Sequence, residues 1–387
     1  MTHPPADGPA QLAQPPRRVL VAGTGLIGTS LALALRAAGA EVWLSDADDA
    51  TAKLAADLGA GTVAPDLRDA KGIADVAVLA MPPAAVAPML AYSQDCAVAE
   101  VYTDVASVKV LPVRQARELG CDLETYVPGH PLAGRERQGP GAAQADLFLG
   151  RTWAICPLPE TAPDAIAAVT ALAAACGADP VTTDPATHDR WVALVSHAPH
   201  LVAVAMAARL APSGVPADAL KLAGQGLRDV TRIAAGDTAL WRQILSANAG
   251  PVGDVVAAVA ADLTAVARRL ADIAGQAPPP VGETGRDRDT SEVTALLDRG
   301  QAGVARIPGK HGGQLRNFTL VQVVIADQPG ELMRLFNAAG AAGVNIEDVR
   351  IEHSPGRPVG VAELSIRPDQ VPALLDAMAA GGWPVRR

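Results

Sequence analysis

The chain has 387 residues, 49% hydrophobic and 19% charged, with a formal net charge of −9. That length suits two or three domains with sizeable cores, and the acidic balance excludes a global basic field that would draw nucleic acid or an anionic membrane. An anionic small-molecule substrate must therefore be held by a local cluster of cations. The four cysteines, Cys96, Cys121, Cys156 and Cys176, are widely spaced without a C-x-x-C pair. They read as free thiols of a cytoplasmic protein.

Residues 1–16, rich in Pro, Ala and Gln, predict a disordered tail that lacks the apolar core of a signal peptide. The stretch 19–39, VLVAGTGLIGTSLALALRAAG, then organises the chain. Val19, Leu20 and Val21 predict a buried parallel strand. Gly23, Gly25 and Gly28 match G-x-G-x-x-G: a sharp turn, a close approach for phosphate, and tight packing of helix on strand. The turn runs through Leu26 and Ile27 into a helix over 27–38, whose first amides are a ready site for a pyrophosphate. A second strand over 41–44 ends just before Asp46, about 20 residues past the glycines, where an acid bonds the adenosine ribose. With no Arg directly after Asp46, NAD is expected rather than NADP.

The first domain, 17–184, continues with a helix over 49–58 and a buried strand over 76–80. Met81-Pro82-Pro83 sits at that strand's carboxyl end, where open parallel sheets bind ligands. A strand over 101–104 leads to a loop carrying Ser107 and Lys109; Ser107 also fits as the cap of the next helix. In 126–139, YVPGHPLAGRERQG, Gly and Pro on both sides are expected to hold His130 in a rigid loop. Histidine is the side chain best suited to exchange a proton near neutral pH. A strand over 151–156, a helix over 164–176 and a strand over 180–184 complete the domain.

Residues 185–275 predict long helices for a substrate and dimerisation domain. His197 and His200 lie three apart, and Arg228 and Arg232 four apart, so each pair shares a helix face, with Trp241 further along. The arginines could equally be solvated, with Asp229 pairing Arg232. No acid near the histidines completes a metal site. The run 192–211 approaches membrane-span length but contains Ser196, His197, Pro199 and His200, so it reads as a buried helix. A linker over 276–315 includes a helix over 290–299 and a loop with Lys310 and His311. The remainder, 316–387, predicts β-α-β-β-α, an open-faced sandwich.

In order, GTGLIGTS, DVASVK, GHPLAGRERQG, SHAPHL and GLRDVTRIAAGDTALW resemble prephenate dehydrogenases and the closely similar arogenate dehydrogenases, over residues 17–275. The tail, with DQPGEL followed by GVNIEDV, resembles an ACT domain, a regulatory module that often binds amino acids. The resemblance implies a Rossmann-like parallel-sheet domain, an all-helical domain and a small α+β, ferredoxin-like, ACT-like domain. It implies a homodimer with NAD as cofactor, prephenate or arogenate as substrate, and tyrosine as a candidate effector. His130 would be the base, Ser107 its orienting partner, and His200, supported by His197, part of the substrate pocket. Arg232 would grip a substrate carboxylate, with Arg228, Glu136 and Trp241 also on pocket positions. Arg135 departs from the family, where many relatives carry a small hydroxyl residue. Two other classes remain open: a hydroxyisobutyrate-like dehydrogenase, for which Lys221 would be the sole catalytic lysine candidate, and a non-catalytic NAD or amino-acid sensor.

Overall fold

The computed structural model describes residues 14–134, 138–211, 216–275, 290–307, 318–353 and 358–386. These form two compact units, Met1–Val259 and Ala260–Arg387.

Unit one opens with β1 (Arg18–Ala22), α1 (Leu26–Ala37), β2 (Glu41–Ser45), α2 (Asp49–Asp57) and β3 (Thr62–Val63). It continues with β4 (Ala74–Leu79), α3 (Pro83–Asp95), β5 (Ala99–Asp104), α4 (Val110–Glu118) and β6 (Tyr126–Val127). The six strands run parallel in the order β3-β2-β1-β4-β5-β6. This is the doubly wound arrangement the glycine motif predicts, and strand order reverses between β1 and β4. Val19, Leu20 and Val21 on β1, and Val78 and Leu79 on β4, are wholly buried, as strands covered on both faces require. Local signals set the helix starts: Asp48 caps α2, its side chain accepting from the Ala50 amide, and Pro83 opens α3.

The chain then builds a second, separate sheet from β7 (Gly129–Pro131), β8 (Thr152–Ile155) and, after α5 (Pro163–Ala175), β9 (Asp179–Thr182). His130 therefore lies on a short strand and not in the expected loop. Its neighbours Gly129 and Pro131 register with Ile155 and Trp153 of β8, and this pairing holds the histidine's backbone. An added Cβ on Gly129 would come within 2.9 Å of the Asp104 carbonyl, so glycine lets β7 pass close to the end of β5.

The helical part comprises α6 (Pro185–Val192), a π-helical turn (Ala193–His197), α7 (Ala198–Ala208) and α8 (Ala217–Leu220). It continues through α9 (Gln225–Thr231), a 3-10 turn (Arg232–Ala235), α10 (Thr238–Ala247) and α11 (Ala249–Ala274). Among the described residues two helical runs, not one, are long and apolar enough to cross a membrane, Pro185–Ala208 and Ala249–Ala274. Nor is the first fully buried: Leu194, Val195 and Met206 are exposed while His197 and His200 face inward, so the polar side chains point into the fold.

Unit two holds α12 (Ser291–Val304), β10 (Thr319–Ala326), α13 (Glu331–Ala341), β11 (Ile346–His353), β12 (Val359–Ile366), α14 (Val371–Ala380) and β13 (Val385–Arg386). Beyond the expected five elements, β13 adds a fourth strand, giving the antiparallel order β11-β12-β10-β13 and a ferredoxin-like βαββαβ unit. Alternate residues Val321, Val323 and Ile325 of β10 pack with Leu335 and Leu374 from the two helices.

The least expected core residue of unit one is Lys109, wholly buried. Its ammonium bonds the buried Asp104 carboxylate and donates to the Gly129 carbonyl, and the Tyr126 hydroxyl donates to the same carboxylate at 2.6 Å. Burial, then the Asp104 charge, pushes the Tyr126 phenol well above its ordinary pKa. Lys109→Met should cost about 3–5 kcal/mol in denaturant unfolding, because it strands a buried carboxylate. The double variant Asp104→Asn/Lys109→Met should recover part of that loss; equal stability of Lys109→Met and wild type would show the pair to be dispensable.

Candidate active site

At the switch point, Gly23 has φ +96°, and an added Cβ would lie 2.2 Å from the Ala80 carbonyl oxygen. Gly28 is equally constrained, since its Cβ would meet the Gly23 carbonyl at 1.9 Å as α1 closes on the turn. Gly25 differs: no atom lies within 4 Å of its added Cβ, leaving its face open, and α1 begins there without a side-chain cap. The uncapped amides of Leu26 and Ile27 are thus available to an anion. Asp46 follows β2, and its Oδ2 accepts from the Thr24 amide at 2.6 Å and the Thr24 hydroxyl at 2.9 Å. The Asp48 amide donates to its Oδ1 at 3.0 Å, so the carboxylate is oriented before any ribose arrives. Met81 and Pro82 follow β4 on the other side of the switch point. An open phosphate cradle beside a fixed carboxylate fits a dinucleotide with free ribose hydroxyls.

The second half of the site is a group of histidines. His130 Nδ1 lies 3.0 Å from His188 Nε2, and His188 Nδ1 lies 2.8 Å from Asp189 Oδ1. His130 as a residue is half-buried, and the protein packed around it pushes its pKa well below the ordinary histidine value. Burial is the main cause, with the electrostatic influence of His188, Lys109 and His197 adding to it. Asn248 Nδ2 donates to the Asp189 carbonyl at 2.8 Å, which identifies it as the amide nitrogen, and it lies 3.1 Å from His197 Nδ1. His197 Nδ1 therefore accepts, and its Nε2 carries the proton. His200 stacks on Trp241 with centroids 3.5 Å apart, and His197 meets the same indole edge-on at 6.1 Å. Gly236 closes this stack, since its added Cβ would lie 2.4 Å from Trp241 Nε1 and 3.1 Å from His200 Cε1.

The structure thus brings His197, His200 and Trp241 together and places His130 against His188. Arg228 on α9 and Arg232 at the head of the 3-10 turn are both exposed, and that turn packs on α7, the helix of His200. Ser107 is half-buried on the loop after β5; it neither caps α4 nor hydrogen-bonds His130 among the described residues. Asp189 caps α4 instead, accepting from the Lys109 and Val110 amides at 2.8 and 2.9 Å. Glu136, with Arg135 beside it, lies outside the described residues.

His188, Asp189 and Asn248 escaped the reading of the sequence. One signal was available: His188 and Asp189 precede Val192 and Ala193 by four residues, so helical periodicity puts them on the same buried face. A titratable pair there needs partners.

A doubly wound sheet with a glycine turn at its switch point, joined to a histidine-rich helical half, defines a dinucleotide-dependent dehydrogenase. Residues 31–182 match the nucleotide-binding domain of prephenate dehydrogenase, and residues 184–277 match its dimerization domain. A probable prephenate dehydrogenase, NovF, from Streptomyces niveus is 37% identical over 372 residues, which cover 95% of this chain and 99% of that one. The crystal structure of Synechocystis arogenate dehydrogenase is 25% identical with a TM-score of 0.60, over 74% of this chain and 98% of that one. Prephenate dehydrogenase from Aquifex aeolicus, solved with hydroxyphenyl propionate and NAD+, shares the fold at 24% identity and a TM-score of 0.63. That match covers 76% of this chain and 100% of the other. The chain belongs to the prephenate dehydrogenase family of NAD-dependent oxidoreductases.

Burial lowers the pKa of His197 to about 4, and His200 is lowered by the same cause, opposed by a backbone hydrogen bond at Ile233. Between that value and the ordinary 6.5, the unfolded chain binds protons that the folded chain refuses, so stability rises with pH. His197 alone should remove about 3 kcal/mol as pH falls from 6.5 towards 4. Thermal unfolding should show this loss largely absent in His197→Gln; an equal acid loss in that variant would place the titration elsewhere.

Proposed function

We propose that this chain oxidises prephenate with NAD, releasing CO2 and giving 4-hydroxyphenylpyruvate for tyrosine biosynthesis. Prephenate is a cyclohexadienol bearing a ring carboxylate and a pyruvyl side chain. The observation that carries the reading is His130: neutral at pH 7, held through Nδ1 and still partly accessible. NAD, when bound by the Gly23–Gly28 turn with Asp46 on its ribose, supplies the acceptor for the hydride on the hydroxyl-bearing carbon.

His130 accepts the hydroxyl proton at Nε2 as the ring carbonyl forms. The bond to the ring carboxylate then breaks, its electron pair enters the ring, and CO2 leaves. The resulting phenolate takes the proton back, and aromatisation makes the step effectively irreversible. Arg232, with Arg228 near it, holds a substrate carboxylate through its paired donors. Ser107 hydrogen-bonds the reacting hydroxyl; His200, His197 and Trp241 line the pocket, and Glu136 is assigned to substrate binding by its place in the GHPLAGRERQG motif. The apolar outer face at Leu194, Val195 and Met206 is covered by a second copy of the chain, as a dimerisation domain requires. The reaction runs in the cytoplasm, a reading that the four free thiols support. The C-terminal unit acts as an ACT-like regulator, with tyrosine as the candidate effector of the enzyme.

NADH formation from prephenate and from arogenate, each with and without tyrosine, tests this reading. Prephenate should be the faster substrate; arogenate as the better one would reassign the amino acceptor in the pocket. His130→Asn should lower kcat by roughly 10²–10⁴ with NAD affinity unchanged, and near-normal turnover would remove His130 from the chemistry.

Asp46 should favour NAD over NADP by at least about tenfold in kcat/KM, through lost ribose bonds and repulsion of the 2′-phosphate. Asp46→Asn should narrow that ratio. Equal use of both cofactors by the wild type would place the ribose elsewhere.

A further inference from the structure

We infer that His188 and Asp189 are a positioning pair that holds His130 as the tautomer with an unprotonated Nε2. This rests on His130 being the proton acceptor, and it names what makes that nitrogen, and not its neighbour, the accepting one.

The hydrogen bonds force the assignment in sequence. Asp189 is ringed by donors: the Lys109 and Val110 amides at 2.8 and 2.9 Å, and His188 Nδ1 at 2.8 Å. A carboxylate can only accept, so the His188 proton sits on Nδ1. With Nδ1 donating to Asp189, His188 presents Nε2 as the acceptor, 3.0 Å from His130 Nδ1. His130 must donate there, which leaves its own lone pair on Nε2. Both supports are locked, since His188 and Asp189 are each only 2% exposed. The rings of His130 and His188 cross at 74°, the geometry of an edge donor meeting an in-plane lone pair.

The arrangement also handles the proton that the reaction moves. When Nε2 of His130 takes the substrate proton, the new imidazolium keeps its Nδ1–H on His188, and behind His188 stands the Asp189 carboxylate. No proton passes to His188, so the one His130 holds remains available for return to the phenolate. Of the titratable groups facing His130 from other elements, Lys109 from the loop before α4 opposes the imidazolium by its charge, and His197 from the π-helical turn, with its pKa lowered to about 4, does so only at acid pH. Asp104 is already engaged by Lys109 and Tyr126. Asp189 is therefore the carboxylate that the hydrogen-bond chain connects to the base. Its two backbone donors, 79 and 80 residues away in sequence, fix it in place.

The test combines a tautomer measurement with kinetics on the full chain. Histidines are labelled with ¹⁵N, and the His130 signals are identified by their loss in His130→Asn. At pH 7 the wild type should show a protonated Nδ1 and an unprotonated Nε2 on His130; the reverse overturns the inference. His188→Phe keeps the ring volume but removes the acceptor. It should lower kcat about 10–100-fold, the range for loss of a group that orients a reactive histidine, while KM for prephenate changes by less than about threefold. His188→Gln, whose side-chain carbonyl can accept from His130, should recover part of that kcat. Wild-type kcat in His188→Phe would also overturn it. If that variant does not fold, the wild-type tautomer decides alone. A fully active His130→Asn would instead defeat the assignment of the base, a result the tautomer measurement cannot mimic.

Discussion

The Asp189 carboxylate joins the two halves of the catalytic unit. It lies on the first helix of the helical part, yet it caps α4 of the nucleotide-binding part through the Lys109 and Val110 amides. A helix start left uncapped in the interior would strand its amides, so this contact is hard to loosen. The residue's backbone carbonyl receives Asn248, which in turn sets the tautomer of His197. One residue thereby registers α4, α6 and the start of α11 against one another, and His188, His130 through it, and His197 take their orientation from that registration.

A second buried charge does comparable work inside the nucleotide-binding part. Lys109 draws Asp104, at the end of β5, and the Gly129 carbonyl, at the start of β7, to one ammonium. The strand that carries His130 is therefore anchored at both edges, by β8 on one side and by this ammonium on the other. Such a pair contributes little net stability, because desolvation offsets most of the attraction; what it does supply is a fixed geometry. The nucleotide crevice is built on the opposite principle. There, the useful feature is the open space beside Gly25 and the uncapped amides that follow it.

The polar and apolar faces of the helical part explain each other. Pro185–Ala208 turns His188, His197 and His200 inward, where tertiary partners satisfy them, and Leu194, Val195 and Met206 outward. An inverted helix of this kind is unfavourable for an isolated chain and favourable for one that covers the outward face with a second copy. The exposed arginines, Arg228 and Arg232, sit on the short elements that pack against that helix.

What the sequence determined by itself was local. The G-x-G-x-x-G turn, the β-α alternation, Asp46 at the end of β2 and the isolated GHP histidine are each encoded within about twenty residues, and short-range patterns suffice to specify them. The βαββα core of the C-terminal unit was legible for the same reason, while β13 was not, since two residues carry no periodicity. The contacts that orient the reactive groups were decided only by tertiary structure. His130 meets His188 across 58 residues, Lys109 meets Asp189 across 80, and Asn248 meets His197 across 51. Ser107, adjacent in motif logic, turned out not to be the hydrogen-bond partner of His130 among the described residues. No spacing rule anticipates such pairings, because a buried polar group takes whichever complementary group the packing of distant elements presents to it.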